Sequence, residues 1–291
     1  MIYPFIYKHR FQFRVEKMCS VMQVSRSGYY KWIHRKPSEQ EKRRKKLMKR
    51  IQHHFNGFKQ RYGSPKIAHK LREEGWVVAT KTVAKLMKAM GLRSRVVKKY
   101  KATTNSKHNQ PVYDNVLNRQ FHVDAPNRVW VTDITYVATK QGWVYLASVM
   151  DLFSRRIVGW SMGSRMTKEL VLDALDMAYK RRKPKPGLVH HSDRGSQYAS
   201  TEYRERLDRY KMIGSMSRKG NCYDNACIES FHSVIKKELV YLTTFQTRKQ
   251  AYEAIHSYIE LEYNRIRIHS SIGYLTPHLC EKRYYKQQQV A

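Results

Sequence analysis

Three acids in this 291-residue chain occupy contexts in which a carboxylate can do chemistry. Asp133 interrupts the run VWVTDITYV, where an unpaired carboxylate costs on the order of several kcal/mol. Asp193 closes GLVHHSD, at the carboxyl end of a hydrophobic strand. Glu229 lies in DNACIESFHSVIKKEL, a helix for which Asp224 is the expected cap one turn earlier. The spacings are 60 and 36 residues. Each acid alone has an ordinary explanation: an edge-strand aspartate, a turn-capping aspartate, a solvated helix glutamate. Together they offer the hard oxygen donors that suit Mg²⁺, with Mn²⁺ expected to substitute. Such a set can hold two cations about 4 Å apart for in-line displacement at phosphorus.

The elements that must position these acids are legible from residue 128 onward. NRVWVTDITYV alternates and is rich in Val, Ile, Thr and aromatics, the pattern of a strand. GWVYLASVMDL follows after TKQG, and RRIVGWSMG after another short break; such short connections demand antiparallel pairing. A helix from about Lys168 to Arg181, the strand GLVHHSD, a helix near Thr201–Tyr210, the short strand MIGSMS and a last helix from about Asp224 complete the series. The order β-β-β-α-β-α-β-α predicts an α/β domain built on a mixed five-stranded sheet with flanking helices. Asp151, ending the second strand, reads as structural or as support for the site.

Charge narrows the partner. Lys and Arg number 57 against 23 acids, a formal +34, which attracts polyanions. Residues 1–110 hold 29 basic and 5 acidic residues, and residues 111–291 hold 28 and 18, so the N-terminal third is the strongly basic module. No stretch approaches the roughly 18 uncharged apolar residues of a membrane span, and MIYPFIYKHRFQF is not a secretory signal. Cys19, Cys222, Cys227 and Cys280 are few and irregularly spaced, as in reduced thiols, with no zinc pattern. A hydrophobic content of 41% argues against disorder. The expected location is the cytoplasm.

The basic third reads as two helix-turn-helix-like regions, residues 1–55 and 56–102, followed by a linker at 103–123 and a core with a helical tail at 124–291. In the second region Ser64 caps a helix with Pro65 at its first position and Gly75 at its end. Thr80 caps the next, whose apolar stripe is Val83, Leu86, Met87 and Met90, closed by Gly91. Lys81, Lys85 and Lys88 lie off that stripe and are the candidate DNA contacts. The first region runs from about Val15 through Met22, turns at Gln23–Val24 and restarts after Ser25; EQEKRRKKLMKR is a basic helix between the two. A solvated basic face explains such helices equally well in isolation. The concentration of charge favours phosphate binding.

VWVTDITYV, HSDRGSQY (191–198), GNCYDNACIESFHSVIKKEL (220–239) and YNRIRIHSSIGYLTP (263–277) resemble the DDE transposases of bacterial insertion sequences. More narrowly, they are similar to the second-reading-frame product of the group that makes its enzyme by translational frameshifting. MCSVMQVSRSGYYKW, RYGSPKIAHKL and VAKLMKAMGL extend the resemblance through the N-terminal part. It implies a ribonuclease-H-like core akin to that of retroviral integrases. It further implies a catalytic, metal-holding triad of Asp133, Asp193 and Glu229, with Lys236 contacting DNA near the scissile phosphate. Lys236 is seven residues after Glu229, two turns on along one helix face. His191, Asp224 and Asn225 match positions that support the site.

The resemblance implies cleavage at element ends and strand transfer into other double-stranded DNA by a homo-multimer. It also implies fusion to, or partnership with, an upstream-frame product. One departure concerns the His₂Cys₂ finger of retroviral integrases, for which nothing here has the ligand spacing. Two other functions remain open: a DNA-binding repressor with an inert core, and a nuclease that cuts without joining.

Overall fold

The computed structural model describes residues 2–95, 112–218 and 221–289, so the first part of the expected linker, residues 103–111, lies outside the described residues. The chain begins with α1 (Ile2–His9), α2 (Val15–Val21) and α3 (Arg26–Ile33), packed around Ile6, Met18, Cys19 and Tyr29. α2, α3 and the turn at Gln23 match the expected pair, whereas α1 was not foreseen: its aromatic run carries no cap or glycine to mark it.

α4 (Glu39–Gly57) is the basic helix, fixed at its start by a reciprocal capping box between Ser38 and Glu41. α5 (Ser64–Glu73) and α6 (Thr80–Ala89) pack on it through Leu47, Ile51, Phe55, Ile67, Leu71 and Val83. The expected caps shift by one residue. Gly63 and Ala79 hold the cap positions, and Thr80 instead accepts a hydrogen bond from the Arg72 guanidinium at 3.1 Å. Ile268, from the far end of the chain, enters this core, and its N–H donates to the Tyr62 hydroxyl at 3.1 Å. Lys59 and Arg61 pair with Glu262 across the same contact.

The sheet follows the expected order. β1 (Val129–Thr139), β2 (Gly142–Asp151) and β3 (Ile157–Gly163) form an antiparallel meander; β4 (Val189–Ser192) runs parallel to β1, and β5 (Ile213–Met216) parallel to β4. The strand order is β3-β2-β1-β4-β5. α7 (Lys168–Arg182) and α8 (Thr201–Arg209) cover one face over Trp130, Val149 and Leu175. α9 (Ala226–Glu238), α10 (Arg248–Ser257) and a π-helical turn at Tyr258–Ile266 cover the other over Val131, Leu146 and Phe231. α11 (Pro277–Gln288) ends the described chain. β3 approaches α7 so closely that a Cβ on Gly159 would lie 2.2 Å from the Ala174 carbonyl oxygen. Among the described residues no helix is long and apolar enough to cross a membrane.

Asp151 is fully buried and accepts backbone N–H groups of Asn127 (2.7 Å) and Phe153 (2.9 Å), so it fastens the chain entering β1 to the end of β2. Burial pushes its carboxyl up to about 6, against the pull of those donors and of Arg182.

Candidate active site

β1 and β4 pair in parallel with Val129 opposite Val189, Trp130 opposite His190 and Val131 opposite His191. The offset is 60 residues at every pair, which is also the spacing of Asp133 and Asp193. Asp193 comes one residue after β4 ends, and the register carried two residues past its last pair points it toward Asp133. The Asp133 carboxylate is near enough to raise the pKa of Asp193.

The third acid arrives on α9. The Asn225 side-chain amide donates to the Thr132 carbonyl at 3.1 Å, tying the start of this helix to the backbone beside Asp133. Glu229 follows one turn later. Asp224 is not the helix cap expected from the sequence. A 3₁₀ turn covers Cys222–Asn225, and the Asp224 carboxylate instead receives Arg218 (2.8 and 2.9 Å), Arg119 (2.8 Å) and Asn115 (3.0 Å). The Arg218 guanidinium holds this carboxyl well below the usual carboxylate range. Asp224 therefore braces the loop that leads into α9.

Both aspartates are oriented by a short-range bond. Asp133 Oδ1 accepts the Ile134 N–H at 2.8 Å, and Asp193 Oδ1 accepts the Gly195 N–H at 2.9 Å. His232 Nδ1 lies 3.2 Å from Asp133 Oδ2, a contact sequence reasoning missed. Its only signal is position: His232 is three residues after Glu229, on the helix face that also carries Lys236. His191 is wedged between Ser215 (2.9 Å) and Ser217 (3.1 Å), which locks β4 to β5 just before Asp193.

The charges oppose one another. Burial and the neighbouring Asp133 and Glu229 carboxylates push Asp193 up to about 7; burial and Asp133 also raise Glu229. Among the described residues no three His, Cys, Asp or Glu side chains stand at metal-ligating spacing. The donor chemistry nonetheless fits a divalent cation: three hard carboxylates from β1, the end of β4 and α9, with Asp133 raising the cost of ionising both of the others. Lys236 sits at the rim with its ammonium 4.6 Å from the centre of the Tyr136 ring. Burial lowers its pKa. Lys81, Lys85 and Lys88 are all exposed on α6, away from the Val83–Leu86–Met87 face; Lys85 shares a groove with Arg43 and Arg44 of α4.

Integrase core domain models match residues 123–222 and 211–277, and an HTH-like domain model matches residues 42–100. Solved structures similar to the chain include the HTLV-2 integrase catalytic core domain in complex with magnesium, at 19% identity and a TM-score of 0.41, covering 54% of this chain and 97% of that one. The simian T-cell lymphotropic virus intasome matches at 16% identity and a TM-score of 0.44, over 77% of this chain and 70% of that one. A helix-turn-helix-like region joined to an integrase core defines the class of DNA-cutting, strand-transferring enzymes.

Two curated relatives narrow it. Transposase InsF of insertion sequence IS3A from Escherichia coli K12 is 42% identical over 97% of this chain and 99% of its own. The IS600 31 kDa protein of Shigella sonnei is 44% identical over 92% and 99%. The chain belongs to the IS3-family transposases of bacterial insertion sequences.

Proposed function

We propose that this transposase cleaves DNA at the ends of its element and joins the freed strand to another site, with Asp133, Asp193 and Glu229 as the catalytic carboxylates. The observation that supports this most is the shared 60-residue offset of the β1–β4 register, which brings Asp193, just past the end of β4, toward Asp133, with Glu229 on α9. The three carboxylates would hold two Mg²⁺ ions, with Mn²⁺ as substitute. When bound, these supply charge neutralisation at the phosphate and a lowered pKa for the attacking water.

The chain's own groups do the rest. His232 and the Ile134 N–H fix both oxygens of Asp133, and the Gly195 N–H fixes Asp193. Lys236 places the strand near the scissile phosphate, and Lys81, Lys85 and Lys88 grip the duplex through its backbone. In the first step water attacks the phosphorus at the element's end and the 3′-oxygen leaves as a hydroxyl. In the second that 3′-hydroxyl attacks another phosphodiester and displaces its 3′-oxygen. Residues 1–55 and 56–102 act as DNA-binding regions, 103–123 as the linker and 124–291 as the core with its tail. The enzyme works as a homo-multimer on DNA, joined to or paired with an upstream-frame product.

Labelled element-end DNA incubated with protein and Mg²⁺ or Mn²⁺ tests this, wild type against Asp193→Asn. Joined products from wild type, lost in the variant, support strand transfer. Hydrolysis without joining supports a nuclease instead, and equal activity in both proteins would remove Asp193 from the mechanism.

A further inference from the structure

Beyond the triad, β1 leads into a groove that the phosphoryl-transfer reading leaves without a role. Tyr136 lies three residues after Asp133, about 10 Å along the strand at roughly 3.3 Å per residue and on the other face of the pleat, and Lys236 links the two, its ammonium 4.6 Å from the Tyr136 ring centre. Trp143 of β2, in register with Ala138, meets the Tyr136 ring edge-on at 5.0 Å and 85°. It is nevertheless 48% exposed, more than any other described tryptophan. Tyr241, Thr243, Thr244, Lys140 and Lys236 also line the groove. The lining segment is anchored: the Lys140 N–H donates to the Phe245 carbonyl at 3.0 Å, and Phe245 is buried. The cavity measures about 730 Å³. Among the described residues that line it there is no acid.

We infer that this groove binds an unpaired nucleotide of the DNA strand that passes the triad. Three features select that occupant. The lining joins aromatic faces to two ammonium groups and several hydroxyls, the combination that takes a base by stacking and its phosphate by charge. An indole face can stack only on a base that has left the double helix, because a paired base offers a protein its edge. The groove also shares Lys236 with the candidate site, so it lies one or two nucleotides from a phosphate held at the carboxylates. The inference rests on the triad being the reacting centre, since only that brings a strand to the groove's mouth.

Binding without divalent cations separates the two ideas. In EDTA, fluorescein-labelled element-end DNA is compared as a blunt duplex and as the same duplex with a short single-stranded tail, using the full chain. Wild type should bind the tailed probe at least about 5-fold more tightly, the lower end of one base–aromatic stack. Trp143→Ala should abolish that preference while leaving blunt-duplex affinity unchanged, which also reports that the variant is folded; Trp143→Phe should keep most of it. Lys140→Glu should reduce affinity for the tailed probe and lower its salt slope by about 1. Equal affinity of wild type for both probes overturns the inference, as does a Trp143→Ala loss shared equally by both. Asp193→Asn should retain the tail preference. A retained preference with full Asp193→Asn activity would sink the catalytic assignment alone, and a missing preference with an inactive Asp193→Asn would sink the groove alone.

Discussion

Asp193 follows directly after β4, and the 60-residue offset of the β1–β4 register, the same as that between the two acids, brings it toward Asp133 on β1. The pairing energy of the two strands therefore holds two like charges together, and Asp193 is pushed up to about 7, by burial first and Asp133 next. Such a site is built against its own stability, as expected where function requires strain. Asp193→Asn removes one of the opposed charges while keeping the shape. Its melting temperature without divalent cations should equal or exceed that of wild type, while strand cleavage falls at least about 100-fold, more than is usual for an outer partner of a metal site. A clear drop in melting temperature would show that the Asp193 carboxylate stabilises the fold.

His232 should prove a positioning residue. It reaches Asp133 Oδ2 at 3.2 Å and is otherwise buried. His232→Ala should lower the cleavage rate by about 10–100-fold, the usual range for a group that orients a ligand. It should also raise the Mg²⁺ concentration giving half-maximal rate, with His232→Asn recovering part of both. A rate loss with an unchanged Mg²⁺ requirement would count against the positioning role.

Much of this arrangement is legible in the chain, and the boundary is physical. β1 announces itself through alternation, β4 through an apolar run ending in Asp193, and α6 through the Val83–Leu86–Met87 stripe. These are local signals with a period. The partners of Asp224 have none: Arg119 and Asn115 lie more than a hundred residues away, so an acid that looked like a helix cap is a buried anchor. The His232–Asp133 contact and the entry of Ile268 into the helical core are hidden for the same reason. Periodicity tells which face is buried, and only the folded chain tells against what.

Gly159 carries a prediction about stability. An added Cβ would meet the Ala174 carbonyl oxygen at 2.2 Å and Ala178 at 2.7 Å, so α7 must retreat from β3. Gly159→Ala should cost about 1–3 kcal/mol, the range for overpacking a filled core. Urea unfolding gives the figure directly. An unchanged midpoint would mean that α7 has room to move.

Acid sensitivity should trace in part to His190. It is buried against Tyr203 at 2.7 Å, and burial pushes its pKa down to about 3 from the usual 6.5. The unfolded chain takes up this proton as pH falls through about 6.5, and the folded chain does not until about pH 3. The histidine's contribution is therefore complete above pH 7 and declines between those values, by at most about 1.4 kcal/mol per pH unit. His190→Gln removes the titration. Between about pH 6.5 and pH 5.0 the variant should lose up to about 2 kcal/mol less stability than wild type. Parallel losses in both proteins would show that His190 is accessible to protons in the folded state.

The exposed lysines of α6 make a prediction of a different kind, because phosphate contacts leave a signature in salt. Lys81, Lys85 and Lys88 project from the helix face opposite its buried stripe. If each neutralises one phosphate, replacing all three with Gln should lower the slope of log affinity against log salt by about 2.7, at about 0.9 per contact. The loss should be alike for element-end and unrelated duplexes, since backbone contacts position a protein without reading sequence. A loss confined to element ends would instead make these lysines readers of bases, and an unchanged slope would place the DNA elsewhere on the helical region. Asp193→Asn should leave the slope of wild type untouched or slightly steeper, as it removes a negative charge beside the strand.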